Sequence, residues 1–228
     1  MAARGLVATA RTAATLYAAY AAAAWFGYGR VTRAVSEAGR VPLLDALMPE
    51  FEVRVDHRVR VRAPADAVMR VAREMDIERS PIVRAIFKGR ELMLGARPDE
   101  ARRPRALVAF MESLGWRVLA EDPGREIVLG AAMRPWQPDV VFRGLAPDEF
   151  AAFREPGFAK VAWTLRADPL GPKACTFSTE TRVVTTDPES RARFRRYWAL
   201  SSPGMLLIRL AALRMLKREA ERNYSSPS

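Results

Sequence analysis

The sequence predicts an α+β fold in which an antiparallel β-sheet is covered by a long C-terminal helix. Three observations predict it. Segments with alternating apolar and polar residues indicate strands that bury one face. The order is one strand, two helices, several strands and a final helical region, without the repeated strand-helix-strand units of a parallel sheet. An antiparallel sheet that buries one face needs a cover, and the apolar C-terminal helix can provide it.

The first strand covers residues 51–61, where valines and His57 share one face and charged residues occupy the other. An Ala-Pro pair ends this strand, and a helix with an apolar stripe follows over residues 64–75. A second helix begins at Ser80, whose side chain can cap it, and continues to residue 95. A proline occupies its first helical position, where the missing N–H group is not needed.

A β-hairpin over residues 115–133 is indicated by two apolar runs around the turn sequence DPGR. Residues 134–158 contain six prolines and glycines, which predicts an irregular segment at the rim of the sheet with one short helix. Strands over residues 159–167 and 173–185 follow. The last element is a helical region from 188 to about 223, and the proline in its SSPG sequence predicts a break or kink.

Residues 12–29 form a run of eighteen positions without a charged residue, with arginines on both sides. As a helix it spans roughly 27 Å at ~1.5 Å per residue, close to the ~30 Å hydrocarbon core of a bilayer. The run therefore predicts an N-terminal helix that anchors the chain in a membrane. A cleaved targeting leader and a helix packed on the domain remain as alternatives. The predicted membrane contacts are arginines and aromatic residues at its ends: Arg11, Trp25, Phe26, Tyr28, Arg30 and Arg33.

This reading divides the chain into an anchor at 1–35, a linker at 36–49, one globular domain at 50–222 and a disordered tail at 223–228. It predicts a single-pass membrane protein. Slightly more arginines follow the run than precede it, which favours a cytoplasmic domain.

The net charge of +11 is concentrated at the two ends of the chain. No helix-turn-helix, zinc finger or aromatic RNA-binding motif accompanies it, so nucleic acid is not an expected partner. Basic segments beside an apolar run favour contact with anionic lipids instead. Arg209, Arg214, Lys217 and Arg218 are the charges of the apolar terminal helix, a composition that also suits a membrane interface.

Catalytic and metal-binding motifs are missing from the sequence. Cys175 is the one cysteine and lies in a predicted strand, where a small core residue is the simplest interpretation. With one histidine and one cysteine, neither a metal nor a cofactor is expected. Phosphate-binding glycine loops, the nucleophile elbow and zinc-protease motifs do not occur, which favours binding over catalysis.

Four segments together resemble the START-like, or SRPBCC, superfamily, which includes Bet v 1-like and polyketide cyclase-like proteins. They are the strand and turn VDHRVRVRAPADAV, the hairpin GWRVLAEDPGREIVLG, the strand AKVAWTLRADPLGP and the strand CTFSTETRV. The resemblance covers about residues 50–220. It implies a helix-grip fold, a curved antiparallel sheet wrapped around the long C-terminal helix, with a hydrophobic cavity between them. Only a minority of the superfamily are enzymes.

Candidate cavity residues are those that the strand pattern turns toward the helix, together with aromatic residues of the rim and of the terminal helix. They are His57, Trp136, Trp163, Phe177, Thr179, Thr181, Tyr197 and Trp198. Glu180 and Arg182 then face the opposite side of the sheet and are expected to be solvated, with Glu180 paired across the sheet to Arg166 or Lys160.

Three functions follow from this reading. The first is a membrane-tethered binder or carrier of a hydrophobic or amphiphilic small molecule, lipid or polyketide-like, held in the cavity. The second is a cyclase- or dehydratase-like enzyme that uses His57, although one histidine without a partner does not make a catalytic site. The third is a regulatory or stress-associated interaction protein. Hydroxyl groups on an otherwise apolar wall favour an amphiphilic ligand and thus the first function.

Overall fold

The computed structural model contains one large antiparallel sheet with side chains packed on both of its faces. Helices on one face and a second, smaller layer on the other give the α+β helix-grip arrangement, so the predicted fold class is confirmed. The structure describes these parts of the chain: residues 12, 15–23, 25, 28, 32–33, 41–95 and 104–225.

The sheet is built from six strands. In sequence order they are β3 (Val53–Val61), β4 (Arg117–Asp122), β5 (Glu126–Met133), β6 (Phe142–Arg143), β7 (Ala159–Gly171) and β8 (Ala174–Thr185). Their order across the sheet is β3-β8-β7-β5-β4, and β6 pairs with β5. A separate antiparallel pair is formed by β1 (Thr32–Arg33) and β2 (Glu50–Phe51). The predicted hairpin is present, because β4 and β5 pair around a turn in which Gly124 has a positive φ of 75°.

A helical segment over residues 15–23 precedes the domain. The helices of the domain are α1 (Pro42–Leu47), α2 (Ala65–Glu74), α3 (Pro81–Leu94), α4 (Leu107–Ser113), α5 (Pro147–Ala152) and α6 (Pro188–Ser225). The two predicted helices before the hairpin correspond to α2 and α3. Residues 36–49 were expected to be a linker, but their second half contains α1 and packs on the sheet.

The inner face of the sheet packs against α2 and α6. Phe177 and Cys175 of β8 and Leu213 and Leu216 of α6 belong to this core, and all four are buried. Cys175 is thus the core residue that the sequence predicts. Burial of apolar side chains on this face, at roughly 25 cal/mol per Å², is the main stabilising contribution to the contact between helix and sheet.

Helix α6 continues without interruption through Pro203, so the predicted break does not occur. Proline removes one backbone donor, but the residues on either side of it remain helical. The helix starts at a strong cap: the carboxylate of Asp187 accepts hydrogen bonds from the backbone and hydroxyl groups of Ser190 and from the amide of Gly157. These bonds hold the pKa of Asp187 well below its usual range.

The outer face of the sheet is partly covered, which corrects the expectation that Glu180 and Arg182 are solvated. Helices α1 and α5 lie on it, with Leu44 and Phe150 fully buried. Glu180 and Arg182 do point to this face, but their residues are only 3% and 0% exposed. The sequence prediction failed because it placed the chain that forms the cover in a linker.

Arg182 forms the centre of a buried polar network on this face. Its guanidinium group donates to Glu180 at 2.7 Å, to Asp45 at 2.6 Å and to the carbonyl of Met48 at 2.8 Å. Glu180 accepts a further bond from Arg54 at 3.0 Å, so its partners are Arg182 and Arg54 instead of the expected Arg166 or Lys160. The network fastens α1 to the sheet.

A second buried carboxylate joins the N-terminal segment to the domain. Glu52 accepts hydrogen bonds from the phenol of Tyr28 at 2.7 Å, from Thr185 at 2.9 Å and from Arg191 at 2.9 Å. Tyr28 is 7% exposed and its ring lies 5.7 Å from that of Phe194. Burial and the contact with Glu52 raise the pKa of the Tyr28 phenol. The N-terminal segment, the end of β8 and the start of α6 therefore meet at the side chain of Glu52.

Candidate functional site

An apolar cleft of about 460 Å³ lies between α3 and α6. Its walls are mostly aliphatic and aromatic, and it is open to solvent on one side. The volume is in the range of sites that hold small organic ligands. The lining residues come from the N-terminal helical segment, α3, the loop after β5 and α6: Tyr17, Ile86, Phe87, Gly89, Trp136, Arg193, Arg196, Tyr197, Leu200, Ser201, Gly204, Met205 and Ile208.

Two glycines on the facing helices determine the shape of the cleft. A Cβ atom added at Gly89 of α3 would meet no atom within 4 Å, because the position opens into the cleft. At Gly204 of α6 an added Cβ would lie 3.2 Å from Ile86, so this glycine allows the two helices to approach closely. Larger residues at these positions would narrow the cleft.

Two residues that line the cleft each have a buried polar atom without a hydrogen-bond partner among the described residues. These atoms are the indole Nε1 of Trp136, which can only donate, and the hydroxyl of Ser201, which can donate and accept. Buried polar groups are nearly always hydrogen-bonded, and leaving one unpaired costs about 1–3 kcal/mol. A ligand oxygen that reaches either atom would supply its missing hydrogen-bond partner.

Positive charge lies at the mouth of the cleft. Arg193 and Arg196 are exposed side chains of α6. Arg193 pairs with Glu189 one turn earlier, at 2.6 Å, whereas the described part of the chain offers Arg196 no carboxylate. The hydroxyl of Tyr17 donates to the carbonyl of Leu200, so the N-terminal helical segment contacts α6 at this mouth.

A second polar group occurs on the inner face of the sheet, around the guanidinium group of Arg209. Arg209 donates to the carbonyls of Val55 at 2.9 Å and Thr179 at 3.2 Å, and to the hydroxyl of Thr181 at 2.5 Å. Among the described residues, no carboxylate forms an ion pair with it. Burial lowers the pKa of Arg209 to about 10, which still leaves the group charged at neutral pH.

His57 stands opposite Thr179 on the neighbouring strand, close to this buried charge. Its Nδ1 atom is buried and has no hydrogen-bond partner in the described part of the chain. Burial and the charge of Arg209 lower the pKa of His57, so the imidazole is neutral at pH 7. A neutral imidazole beside a fixed cation can act as a base toward a substrate that gains negative charge.

The structure divides the predicted cavity residues between these two places. Trp136 and Tyr197 line the cleft. His57, Trp163, Phe177, Thr179 and Thr181 share the inner face of the sheet, where the indole of Trp163 donates to Thr179 at 2.6 Å. Trp198 does not line the cleft. Its ring stacks on Phe194 with centroids 5.8 Å apart, within a cluster that includes Val53 and Val183 of the sheet.

The predicted membrane contacts are only partly within the described residues. Trp25 lies under the guanidinium group of Arg195, 4.4 Å from its carbon, and its carbonyl accepts a bond from the same side chain. Tyr28 is buried against Glu52, so its side chain is not available to a membrane and that prediction is wrong. Arg33 lies in β1. Arg11, Phe26 and Arg30 lie outside the described residues.

The sequence analysis does not include Arg209 among the cavity residues, because it considers this arginine only as one of the charges of the terminal helix. A signal for its position exists. Ser202, Arg209, Leu213 and Leu216 follow one another at spacings of seven, four and three, which places them on one face of a helix. That face is the one that packs on the sheet. In the described part of the chain, no group of three or more His, Cys, Asp or Glu side chains converges for a metal ion.

By length and composition, α6 is long and apolar enough to cross a membrane, the one such helix in the described residues. A core helix of a soluble protein meets the same description, and part of α6 does pack on the sheet. The uncharged run at 12–29 is described only in part, so the predicted anchor stays a prediction.

No family model and no curated protein matches the chain. Similar solved structures include norcoclaurine synthase from Thalictrum flavum in complex with dopamine and hydroxybenzaldehyde, at 12% identity over 86% of this chain and 100% of that chain, with a TM-score of 0.36. Another is the Zhui aromatase/cyclase from Streptomyces sp. R1128, at 16% identity over 73% of this chain and 94% of that chain, with a TM-score of 0.26. These neighbours are Bet v 1-like or SRPBCC proteins. Similarity at this level concerns the architecture and not what the chain binds.

Proposed function

We propose that this protein binds a hydrophobic small molecule with one anionic group in the cleft between α3 and α6, and acts as a binding or carrier protein. The observation that carries the proposal is the pair of unpartnered polar atoms, Trp136 Nε1 and Ser201 Oγ, on residues that line an otherwise apolar cleft. An apolar site with few convergent polar groups is typical of small-molecule binding.

The charge at the mouth specifies the ligand further. Arg193 and Arg196 would face a group at the open end, and both favour an anion such as a carboxylate or phosphate. The apolar body of the ligand would lie deeper, against Ile86, Phe87 and Ile208. A fatty acid, an acidic lipid and an acidic polyketide share this chemistry.

The first prediction concerns ligands that differ only in their head group. Hexadecanoate, hexadecanol and hexadecyltrimethylammonium have the same apolar chain, so differences in affinity report the charge preference of the mouth. We expect hexadecanoate to bind most tightly in a displacement assay with a fluorescent fatty acid, below micellar concentrations. Arg193→Ser with Arg196→Ser should weaken hexadecanoate about two- to fivefold for each exposed ion pair lost, and leave hexadecanol unchanged.

The matched control for that experiment is Arg58→Ser with Arg60→Ser, since both arginines are exposed on the outer face of β3. This pair removes the same charge from the protein at another place. Equal affinity for all three ligands, or equal loss in both double variants, would contradict the proposed anionic head group. Absence of binding by every ligand, together with no lipid in native mass spectra of the purified protein, would overturn the binding function itself.

A second candidate function is an enzyme that removes a proton next to a carbonyl group, with His57 as base and Arg209 stabilising the enolate. The unpartnered Nδ1 atom of His57 beside a buried guanidinium group favours it. His57 does not line the cleft, so the structure supports this enzymatic function less well than ligand binding.

The second prediction tests this candidate by proton exchange at the α-carbon of acetoacetyl-N-acetylcysteamine in D2O, followed by NMR. Because the folded-state pKa of His57 is lowered below 6.5, the base is already active at pH 6.5, and the rate should fall only at lower pH. His57→Asn should lower the exchange rate to that of the same buffer without protein, without changing the melting temperature. The NMR titration of His57 is unambiguous, since the chain has one histidine. A rate above that of the protein-free buffer that is equal in the wild type and in His57→Asn would eliminate His57 as the base.

A further inference from the structure

One exposed face of α6 carries a regular basic and apolar pattern, here named the α6 stripe. It consists of Arg193, Leu200, Leu207 and Arg214, each seven residues after the last and each exposed. Seven residues are close to two turns of an α-helix, so these side chains lie along one side. The stripe is about 32 Å long from its first to its last residue at ~1.5 Å per residue.

The apolar middle of the stripe is not used by the fold. An 18-residue window of α6 has a mean hydropathy of 1.3, yet only 22% of it is buried. Leu200 and Leu207 are 54% and 51% exposed. Met205 and Tyr17 are also large, exposed and apolar, and they line the cleft together with Leu200. The open side of the cleft and the α6 stripe therefore belong to one surface.

Charge on this surface has a single sign over a long stretch. The chain contains no acidic residue between Glu189 and Glu219, so α6 presents only arginines and one lysine as charged groups over that length. Arginines flank the leucines of the stripe on both sides. A helix with an apolar centre and basic flanks matches an interfacial helix on an anionic bilayer, with leucines among the acyl chains and arginines at the phosphates.

We infer that the α6 stripe docks on the surface of an anionic lipid bilayer, and that the cleft opens toward the lipid so that its ligand passes between the two without crossing water. The inference rests on the proposed ligand-binding function and adds the partner from which the ligand comes. A second copy of the chain fits the surface less well, because two stripes placed face to face would oppose arginine to arginine.

The experiment measures where individual side chains lie when the full-length protein meets vesicles. Cys175 is fully buried and is the one native cysteine, so an introduced cysteine can be labelled selectively. Leu207→Cys carries an environment-sensitive NBD dye on the stripe but outside the cleft. With phosphatidylcholine vesicles that contain phosphatidylglycerol, we expect a several-fold rise in NBD emission and quenching by brominated acyl chains.

The matched control is Leu170→Cys, labelled in the same way, because Leu170 is 56% exposed and lies at the end of β7, outside the stripe. Its dye should stay in water with the same vesicles. The dye at Leu207 reports whether the α6 stripe itself enters the lipid, even when another part of the chain also binds the membrane. Equal emission changes at both positions, or none at Leu207, would overturn the docking. A rise in Leu207 emission with protein concentration in the absence of vesicles would instead assign the surface to a second copy.

A charge variant tests the anionic partner. Arg214→Ser should lower the affinity for the mixed vesicles about fivefold, from the typical contribution of one basic residue near the surface. Arg58→Ser removes the same charge elsewhere and should have no such effect. Equal binding to vesicles of phosphatidylcholine alone would contradict the role of anionic lipid.

Failure of the docking and failure of the ligand-binding function are read separately. Displacement of the fluorescent fatty acid by hexadecanoate in vesicle-free buffer reports the cleft alone, and neither Leu207 nor Arg214 lines it. Retained displacement with no NBD response refutes the docking and leaves the cleft function intact. Failure of hexadecanoate to displace the fluorescent fatty acid from the wild-type protein refutes the ligand-binding function of the cleft directly.

Discussion

Replacement of Arg182 by methionine is expected to lower the free energy of unfolding by about 3–5 kcal/mol, because it breaks a buried ion pair and leaves its partner charged and desolvated. Arg182 is 0% exposed and bonds to Glu180, Asp45 and the carbonyl of Met48. Methionine fills similar space but cannot donate. Glu180 would keep its bond to Arg54, and α1 would lose the hydrogen bond between Asp45 and the sheet.

Urea unfolding followed by circular dichroism measures this effect. Arg58→Met is the matched control, since Arg58 is exposed on β3 and a surface substitution typically changes stability by less than about 0.5 kcal/mol. Replacing Glu180 by methionine together with Arg182 should recover part of the loss, because the unpaired carboxylate is then also removed. An unchanged unfolding midpoint in Arg182→Met would show that the network does not stabilise the outer layer.

Replacement of Gly89 by leucine is expected to abolish ligand binding in the cleft without lowering stability. An added Cβ at Gly89 meets no atom within 4 Å, so the leucine side chain can extend into the cleft without displacing the backbone. Glycine inside a helix is less favourable than alanine by about 0.5–1 kcal/mol, so either larger residue should also favour the helical state of α3. The Gly89→Leu variant would then lose ligand binding and keep its melting temperature.

Hexadecanoate displacement and thermal melting of Gly89→Leu provide the two measurements. Gly89→Ala is the graded control, because it gains the helical preference but fills little of the cleft. It should bind as the wild type does and melt at an equal or higher temperature. Wild-type affinity in Gly89→Leu would mean that the ligand binds elsewhere, and attention would move to the inner face around Arg209.

The sequence could predict the sheet because strand periodicity is a local property. Alternation in residues 53–61 correctly separates the inner from the outer face, and the DPGR turn correctly places the hairpin. Phe51 departs from this pattern, because it lies in β2 and packs in the cluster of the outer face. The sequence could not show that the outer face is partly covered. That cover depends on α1, whose six residues carry too little periodicity to be recognised, and on contacts between residues more than a hundred positions apart, such as Asp45 and Arg182.

The candidate site was predictable to a smaller extent for the same reason. Trp136 could be selected as an aromatic residue of the rim and Tyr197 as one of the terminal helix, and both line the cleft. The cleft itself arises where α3 and α6 cross beside a glycine on each helix, and a crossing between distant segments leaves no mark in either sequence alone. Arg209 could have been assigned from its helical spacing, but the type of its partners, two strand carbonyls and a threonine, could not.

The bond between Tyr28 and Glu52 determines how the domain can be mounted on a larger structure. The same carboxylate also holds Thr185 at the end of β8 and Arg191 in the first turns of α6. Trp25 and Tyr17 contact α6 as well, so the N-terminal segment is fixed to the domain at several points. A force applied to the N-terminus would be transmitted to the sheet and to α6 together, without first extending a flexible linker. A structure attached on the N-terminal side of this segment would thus determine the orientation of the cleft as well as its distance from that structure.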